Sequence, residues 1–155
     1  MNKRVCVIVP AYNEAAVLAD VLKKAHKAFS KSPHSIDIVV INDGSKDNTS
    51  SKAKRTKSIV IDHVMNSGAG EATATGLAYA QLNNYDIAAT MDADGQHAPE
   101  DVLKGVTQLI KTKSDLLIGS RLIDSRGMSR VKILGNKGLS IITYALFGIN
   151  STDSQ

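Results

Sequence analysis

The 155-residue chain has a single cysteine, Cys6, no tryptophan, four tyrosines and two phenylalanines. A lone cysteine excludes an intramolecular disulfide and a zinc site of the usual multi-cysteine kind, and it fits a reducing cytoplasm. Aromatic residues this sparse do not supply stacking platforms for single-stranded nucleic acid, so no nucleic-acid partner is expected. Long hydrophobic runs are missing too. The most apolar late stretch, Leu139 to Ile149, is about half of the roughly 20 residues that a membrane-spanning helix requires. At the start, Met1-Asn2-Lys3-Arg4 passes straight into a short branched run that does not read as a signal peptide. These absences predict a cytoplasmic chain with no spanning anchor in these residues.

What is present describes a folded protein. Apolar residues make up 43% and charged residues 22%, the balance of a soluble globular domain. Lysine and arginine number 19 against 15 aspartate and glutamate, a net charge of +4. That excess permits a phosphate-rich partner without demanding nucleic acid. The length suits one α/β domain and is too short for two ordinary ones.

Strand-like runs recur at Val5 to Val9, Ile36 to Ile41, Ser58 to Val64, Asp86 to Met91 and Asp115 to Gly119. Helix-like segments lie between them, near Ala15 to Phe29, Asp47 to Arg55, Ala69 to Leu82 and Pro99 to Lys111. Alternation of this kind predicts βαβ units and a mainly parallel central sheet with helices on both faces. The runs are apolar throughout, as strands buried on both sides require.

In such a sheet ligands bind outside the carboxyl ends of the strands, near the point where strand order reverses. The segments that follow the strands are Pro10-Ala11-Tyr12-Asn13-Glu14, Asn42-Asp43-Gly44-Ser45, Asn66-Ser67-Gly68-Ala69-Gly70, Asp92-Ala93-Asp94-Gly95-Gln96-His97 and Ser120-Arg121. Carboxylates, amides and glycines therefore gather at one edge. A dinucleotide fingerprint would need glycines after the first strand, where there are none, and no G-x-x-x-x-G-K-[ST] phosphate loop occurs.

Asp92 and Asp94, leaving one strand end two residues apart, offer hard oxygen ligands suited to Mg2+ or Mn2+, and Gln96 adds a carbonyl oxygen. A cation there would neutralise a departing diphosphate. Taken alone the same residues also read as a turn into the helix at Pro99. Cys6 reads as a core residue, His26, His34 and His63 as surface or structural, and Lys52, Lys54, Arg55 and Lys57 as a solvated helix end.

The order of these motifs resembles the family 2 glycosyltransferases, inverting enzymes of the Rossmann-like GT-A fold, and among them the dolichyl-phosphate and polyprenyl-phosphate sugar synthases. The resemblance implies transfer of a hexose from a GDP- or UDP-linked donor to a lipid phosphate. Pro10, Tyr12 and Glu14 would hold base and ribose, with Asp43 beside the base and Asn13 shaping the turn. Asn66, Gly68 and Gly70 would let backbone approach the nucleotide. Asp92, Asp94 and Gln96 would form the metal and diphosphate site. Catalysis would fall to Asp94 and to Arg121, which would face the sugar phosphate or acceptor phosphate. Two positions depart from the family pattern: Asn42 stands where aspartate is frequent, and Ala69 where lysine is common.

Arg121 to Lys137 is rich in basic residues and precedes the apolar stretch Gly138 to Ile149. It reads either as a peripheral contact with the cytoplasmic membrane face or as an ordinary helix covering the sheet. Arg130 and Lys132 read evenly as acceptor-phosphate ligands or as a solvated face. Thr152-Asp153-Ser154-Gln155 looks like the start of an acceptor-side motif that continues in the family as Gly-Phe-Arg. The expectation is one donor-binding domain over residues 1–155, truncated within that motif. The alternative is a nucleotide-sugar-binding piece without transferase activity. A sugar nucleotidyltransferase is disfavoured, because no glycine occurs in Pro10 to Glu14.

Overall fold

A computed structural model describes residues 2–119. Residues 2–114 belong to one compact unit, built in the order β1 (Arg4–Ala11), α1 (Leu18–Phe29), β2 (Ser35–Asn42), α2 (Thr49–Lys54), β3 (Ile59–Asp62), α3 (Ala69–Leu82), β4 (Ile87–Thr90) and α4 (Pro99–Thr112). The four strands form one parallel sheet in the order β3-β2-β1-β4. The order in which successive strands are added therefore reverses at β1, with β2 on one side and β4 on the other. That is the switch point at which an open α/β sheet binds its ligands.

Side chains alternate across β1, and both faces are covered. Val5, Val7, Val9 and Ala11 pack with Ile38 and Val40 of β2 against Leu18, Val21, Leu22, Ala25 and Phe29 of α1 and Val106 of α4. The α1 residues recur at the three- and four-residue spacing that lines one helical face. On the other side Cys6 and Ile8 join Val39, Ile41 and the small residues Ala72 and Ala80 of α3. Burial, helped by the charge of Asp37, pushes the Cys6 thiol up to about 11, so it is an inert core group.

Helix α3 lies close to the sheet because its inner face is small. A Cβ built on Gly76 would stand 2.3 Å from Ile8 Cγ2 and 2.9 Å from its Cγ1. At the opposite edge of the sheet, Asp86 accepts hydrogen bonds from the Lys3 ammonium at 2.9 Å and the Arg4 backbone N–H at 2.8 Å. The Arg4 guanidinium sits 4.6 Å from the centre of the Tyr85 ring, and the Tyr85 hydroxyl donates to Asp37 at 2.8 Å. These contacts tie the entry of β4 to the start of β1.

Helix α4 starts as its sequence suggests, with Pro99 in the first turn and Glu100 and Asp101 near the positive end of the dipole. Other segments differ from expectation. Residues 15–17 form a turn before α1, because the Glu14 carbonyl accepts the N–H groups of Val17 and Leu18. Strands β3 and β4 are each four residues long, shorter than their apolar runs. The run Asp115 to Gly119 is not a strand: it pairs with none among the described residues, and Leu116 and Ile118 are 74% and 69% exposed. An apolar run becomes a strand only when a neighbour supplies its ladder. Arg121, Arg130, Lys132 and the apolar stretch from Gly138 lie outside the described residues.

Gly76→Ala is expected to destabilise the fold. The gain in helix propensity is about 1 kcal/mol, whereas overpacking a filled core costs about 1–3 kcal/mol. Urea unfolding of the variant should show a lower midpoint; an unchanged or higher midpoint would mean that Ile8 moves aside freely.

Candidate functional site

Pairing of Ile8 with Thr90, continued outward, puts Asp92 level with Pro10. The loops after β1 and β4 therefore leave the switch point side by side. Asn13 adopts the left-handed region at φ +56°, as a turn residue. Its backbone N–H donates to Ser45 Oγ, and its Oδ1 accepts the Lys46 N–H, both at 2.9 Å. Next to it the Glu14 N–H donates to Thr49 Oγ1 at 2.9 Å and the Ala15 N–H donates to Asp47 Oδ2 at 3.1 Å. The loops after β1 and β2 are thereby sewn together, with Tyr12 left 41% exposed at their rim.

Asp43, only 3% exposed, performs the same task between the loops after β2 and β3. Its Oδ1 accepts from His63 Nδ1 at 2.8 Å and from the Ser67 N–H at 2.9 Å, and its Oδ2 accepts the Gly68 N–H at 2.8 Å. His63 Nε2 lies 3.0 Å from Thr75 Oγ1 on α3. Burial alone would raise the Asp43 pKa; the Ser67 N–H, His63 and the Gly68 N–H outweigh it and hold the carboxyl below its usual range. Gly44 completes the junction at φ +64°, where a Cβ would stand 2.4 Å from the Met65 carbonyl carbon and 2.5 Å from the Asn66 nitrogen. Only glycine fits a left-handed position with backbone that close. Gly68, at φ +95°, precedes α3, and a Cβ on it or on Gly70 would meet nothing within 4 Å. That edge is open to a ligand.

After β4 the expected turn forms: Asp94 Oδ1 accepts the Gln96 N–H at 2.8 Å and Gly95 takes φ +80°. The Asp94 and Gln96 side chains are exposed, and Asp92 is partly buried. His97 Nδ1 lies 3.2 Å from the Asp92 nitrogen and 3.3 Å from its Oδ2. Among the described residues no three His, Cys, Asp or Glu side chains form a ready metal cage. The donor set still fits Mg2+ or Mn2+, which are held by one or two carboxylates with substrate phosphates and water completing the shell. No described helix is long and apolar enough to cross a membrane.

Asn42, the first departure from the family pattern, has a local reason. Its Nδ2 donates to Asp62 Oδ1 at 2.8 Å. Asp62 in turn receives Lys54 Nζ at 2.6 Å. An aspartate at position 42 would set two carboxylates against each other. Lys54 and Lys52, whose Nζ donates to the Ala15 carbonyl at 2.6 Å, lie in the last turn of α2 and also tie that helix to its neighbours. His63 and Thr75 carried no motif signal; the pairing of Asn42 with Asp62, which brings Asp43 beside His63, would have revealed them.

A parallel α/β sheet whose strand order reverses at β1 defines an open α/β protein with its ligand edge at the carboxyl ends of the strands. The glycosyl transferase family 2 model matches residues 6–145, and the chain belongs to that family. It is 37% identical, over 99% of its length, to the UDP-N-acetylglucosamine–dolichyl-phosphate N-acetylglucosaminyltransferase of Methanococcus voltae. It is 31% identical, over 97% of its length, to the undecaprenyl-phosphate mannosyltransferase of Micrococcus luteus. The chain spans 67% and 63% of those two curated relatives. Among solved structures it resembles the Pyrobaculum calidifontis mannosyltransferase bound to GDP-mannose and Mn2+, with a TM-score of 0.60 and 25% identity over 77% of this chain and 34% of that one. Mycobacterium tuberculosis glucosyl-3-phosphoglycerate synthase bound to UDP gives a TM-score of 0.58 and 25% identity over 70% of this chain and 40% of that one. The fold is accordingly GT-A.

The hydrogen bonds from Lys54 and Ser50 hold the Asp62 carboxyl down at about 2. Its folded pKa lies below the unfolded value of about 3.9, so its contribution to stability is present above about pH 4 and is lost as pH falls toward 2. Asp62→Asn should flatten the acid limb of the stability profile in that window. An unchanged limb would show that the pair with Lys54 contributes nothing.

Proposed function

We propose that this chain binds a nucleoside-diphosphate hexose at the carboxyl ends of β1 and β4 and presents it for transfer to a polyprenyl or dolichyl phosphate. The observation that carries the reading is the placement of Asp92 and Asp94 level with the Pro10–Glu14 loop at the switch point. Membership of family 2 and relatives named for lipid-phosphate acceptors support it.

In this reading Pro10, Tyr12 and Glu14 hold base and ribose, Asp43 stands beside the base, and Asn66, Gly68 and Gly70 let backbone reach the nucleotide. Asp92, Asp94 and Gln96 supply oxygen ligands beside the diphosphate. A bound Mg2+ or Mn2+ supplies Lewis-acid neutralisation of that leaving group. The acceptor phosphate is already an anionic oxygen at neutral pH, so no side chain has to remove a proton from it. Its oxygen bonds to the anomeric carbon as the bond from that carbon to the diphosphate oxygen breaks, and attack from the opposite side inverts the centre. Asp94 would serve as a ligand of that cation, because a carboxylate offers a diphosphate no donor of its own. Arg121, with Arg130 and Lys132, is assigned to the acceptor phosphate, and the basic segment to a peripheral contact at the cytoplasmic membrane face.

The alternative reading is binding of the donor without transfer. Turnover with a polyprenyl phosphate separates the two.

Asp94→Asn keeps an acceptor for the Gln96 N–H and removes the charge. It should weaken Mn2+-dependent binding of a nucleoside diphosphate by roughly tenfold, about 1.4 kcal/mol, and leave metal-free binding unaltered in calorimetry. Equal affinity for variant and wild type with Mn2+ present would remove Asp94 from the metal site.

A further inference from the structure

At the amino ends of the strands, away from the ligand edge, a cleft of about 320 Å3 lies where the end of α1 meets the start of β2 and the residue before Ser58. Two imidazoles, two hydroxyls and one ammonium line it, with Phe29 and Ile36 as the apolar part and no carboxylate among the described residues. The surrounding charge is of one sign as well. Residues 21–36 carry four lysines and no Asp or Glu, and residues 55–58 add Arg55 and Lys57, again without an acid.

We propose that this cleft binds a free phosphate group, as inorganic phosphate or a small phosphate monoester, through Lys57, His34 and Ser32. Contacts within the chain set these residues as donors. His34 Nδ1 accepts the Lys3 backbone N–H at 3.3 Å, so the hydrogen of the neutral ring sits on Nε2. Ser32 Oγ accepts the His34 N–H at 3.1 Å, which commits a lone pair and leaves the hydroxyl hydrogen to give. Lys57 brings a full charge; after burial, that charge is the second cause that lowers the pKa of the neighbouring His26. A phosphate accepts from all three donors, and its charge offsets the lysine that no carboxylate in the cleft meets.

Two features decide for an anion over a cation. The C-terminal end of a helix ordinarily repels an anion through its free carbonyls. Here that end is closed: the His26 and Phe29 carbonyls accept the N–H groups of Ser30 and Ser32, the Lys27 carbonyl accepts the Ser30 hydroxyl, and the Ala28 carbonyl accepts the Lys31 N–H. A pair of histidines suits a transition metal only where each ring turns a lone pair toward the ion. His34 has committed its lone pair to the Lys3 N–H, and His26 Nε2 is tied to Ser58 Oγ at 3.0 Å. The wall is anchored too. The Ser35 N–H lies 3.0 Å from the Lys3 carbonyl and 3.1 Å from Asn2 Oδ1, which fixes the turn carrying Ser32 and His34 to the start of the sheet.

Titration of the nitrogen-15-labelled 155-residue chain with inorganic phosphate tests the proposal, in metal-free buffer with sodium chloride exchanged to hold ionic strength constant. Amide resonances of residues 26–36 and of Lys57 should move first and saturate, and glycerol-3-phosphate should move the same set. Lys57 and Lys31 are both exposed, so substituting either leaves the core intact. Lys57→Gln should weaken phosphate binding about fivefold, the share of one partly solvated charge-assisted bond, and Lys57→Arg should restore it. Lys31→Gln removes the same charge outside the lining and should leave the affinity unaltered. Equal weakening by both glutamine variants would mean diffuse attraction and would overturn the site. Shifts that never saturate, or that chloride alone reproduces, overturn it as well. A response to phosphatidic-acid vesicles with none to either soluble probe overturns the assignment to a free phosphate. The donor site at the carboxyl ends of the strands stands or falls independently of every one of these outcomes.

Discussion

The buried carboxylate of Asp43 is the contact on which the ligand edge depends. Three donors from the chain after β3 converge on it, and no other described group offers them an acceptor in that place. A carboxylate so enclosed is stable only because its charge is met by hydrogen bonds. The His63 ring carries the same grip on to α3. On the other flank Asn13, Ser45, Asp47 and Thr49 bind the loop after β1 to the loop after β2. The segments after the first three strands thus form one connected rim, so that a ligand meets positioned groups rather than separate loops.

The rim stands on a scaffold whose tightness comes from small residues. Ala72, Gly76 and Ala80 let α3 settle onto β1 and β2, which fixes where Thr75 and the helix start at Ala69 lie relative to the strand ends. On the reverse face α1 and α4 cover the sheet with larger side chains. Core packing and site geometry are therefore one problem. A change in the separation of α3 from the sheet reaches His63 and then Asp43.

Much of the fold was legible because its signals are local. Val5 to Val9 and Ile36 to Ile41 read as strands since each is continuously apolar and branched, and both sit at the sheet centre. Pro99 with two following acids marks the start of α4, while the turn at Asn13, implied by the family resemblance, agrees with its positive φ. Other features depend on partners distant in sequence. Asp115 to Gly119 has the composition of a strand and no described neighbour. Asp43 was legible as a motif residue, but its use of His63, Ser67 and Gly68 follows from the β2–β3 register, which no local pattern encodes. Asn42 was visible as a departure and became intelligible only beside Asp62. At the β4 end the two readings of Asp94, turn acceptor and metal ligand, use different oxygens of one carboxylate and are compatible.

The central claim is that the donor diphosphate and its cation bind at the carboxyl ends of β1 and β4. Paramagnetic broadening of backbone amide resonances, with Mn2+ added to the nitrogen-15-labelled chain in the presence of UDP, reports the position of the cation directly. The account predicts that the amides of residues 92–97 and 10–14 broaden first and that omitting the nucleotide weakens the effect. Broadening centred on the opposite edge of the sheet, around His26 and His34, would contradict it.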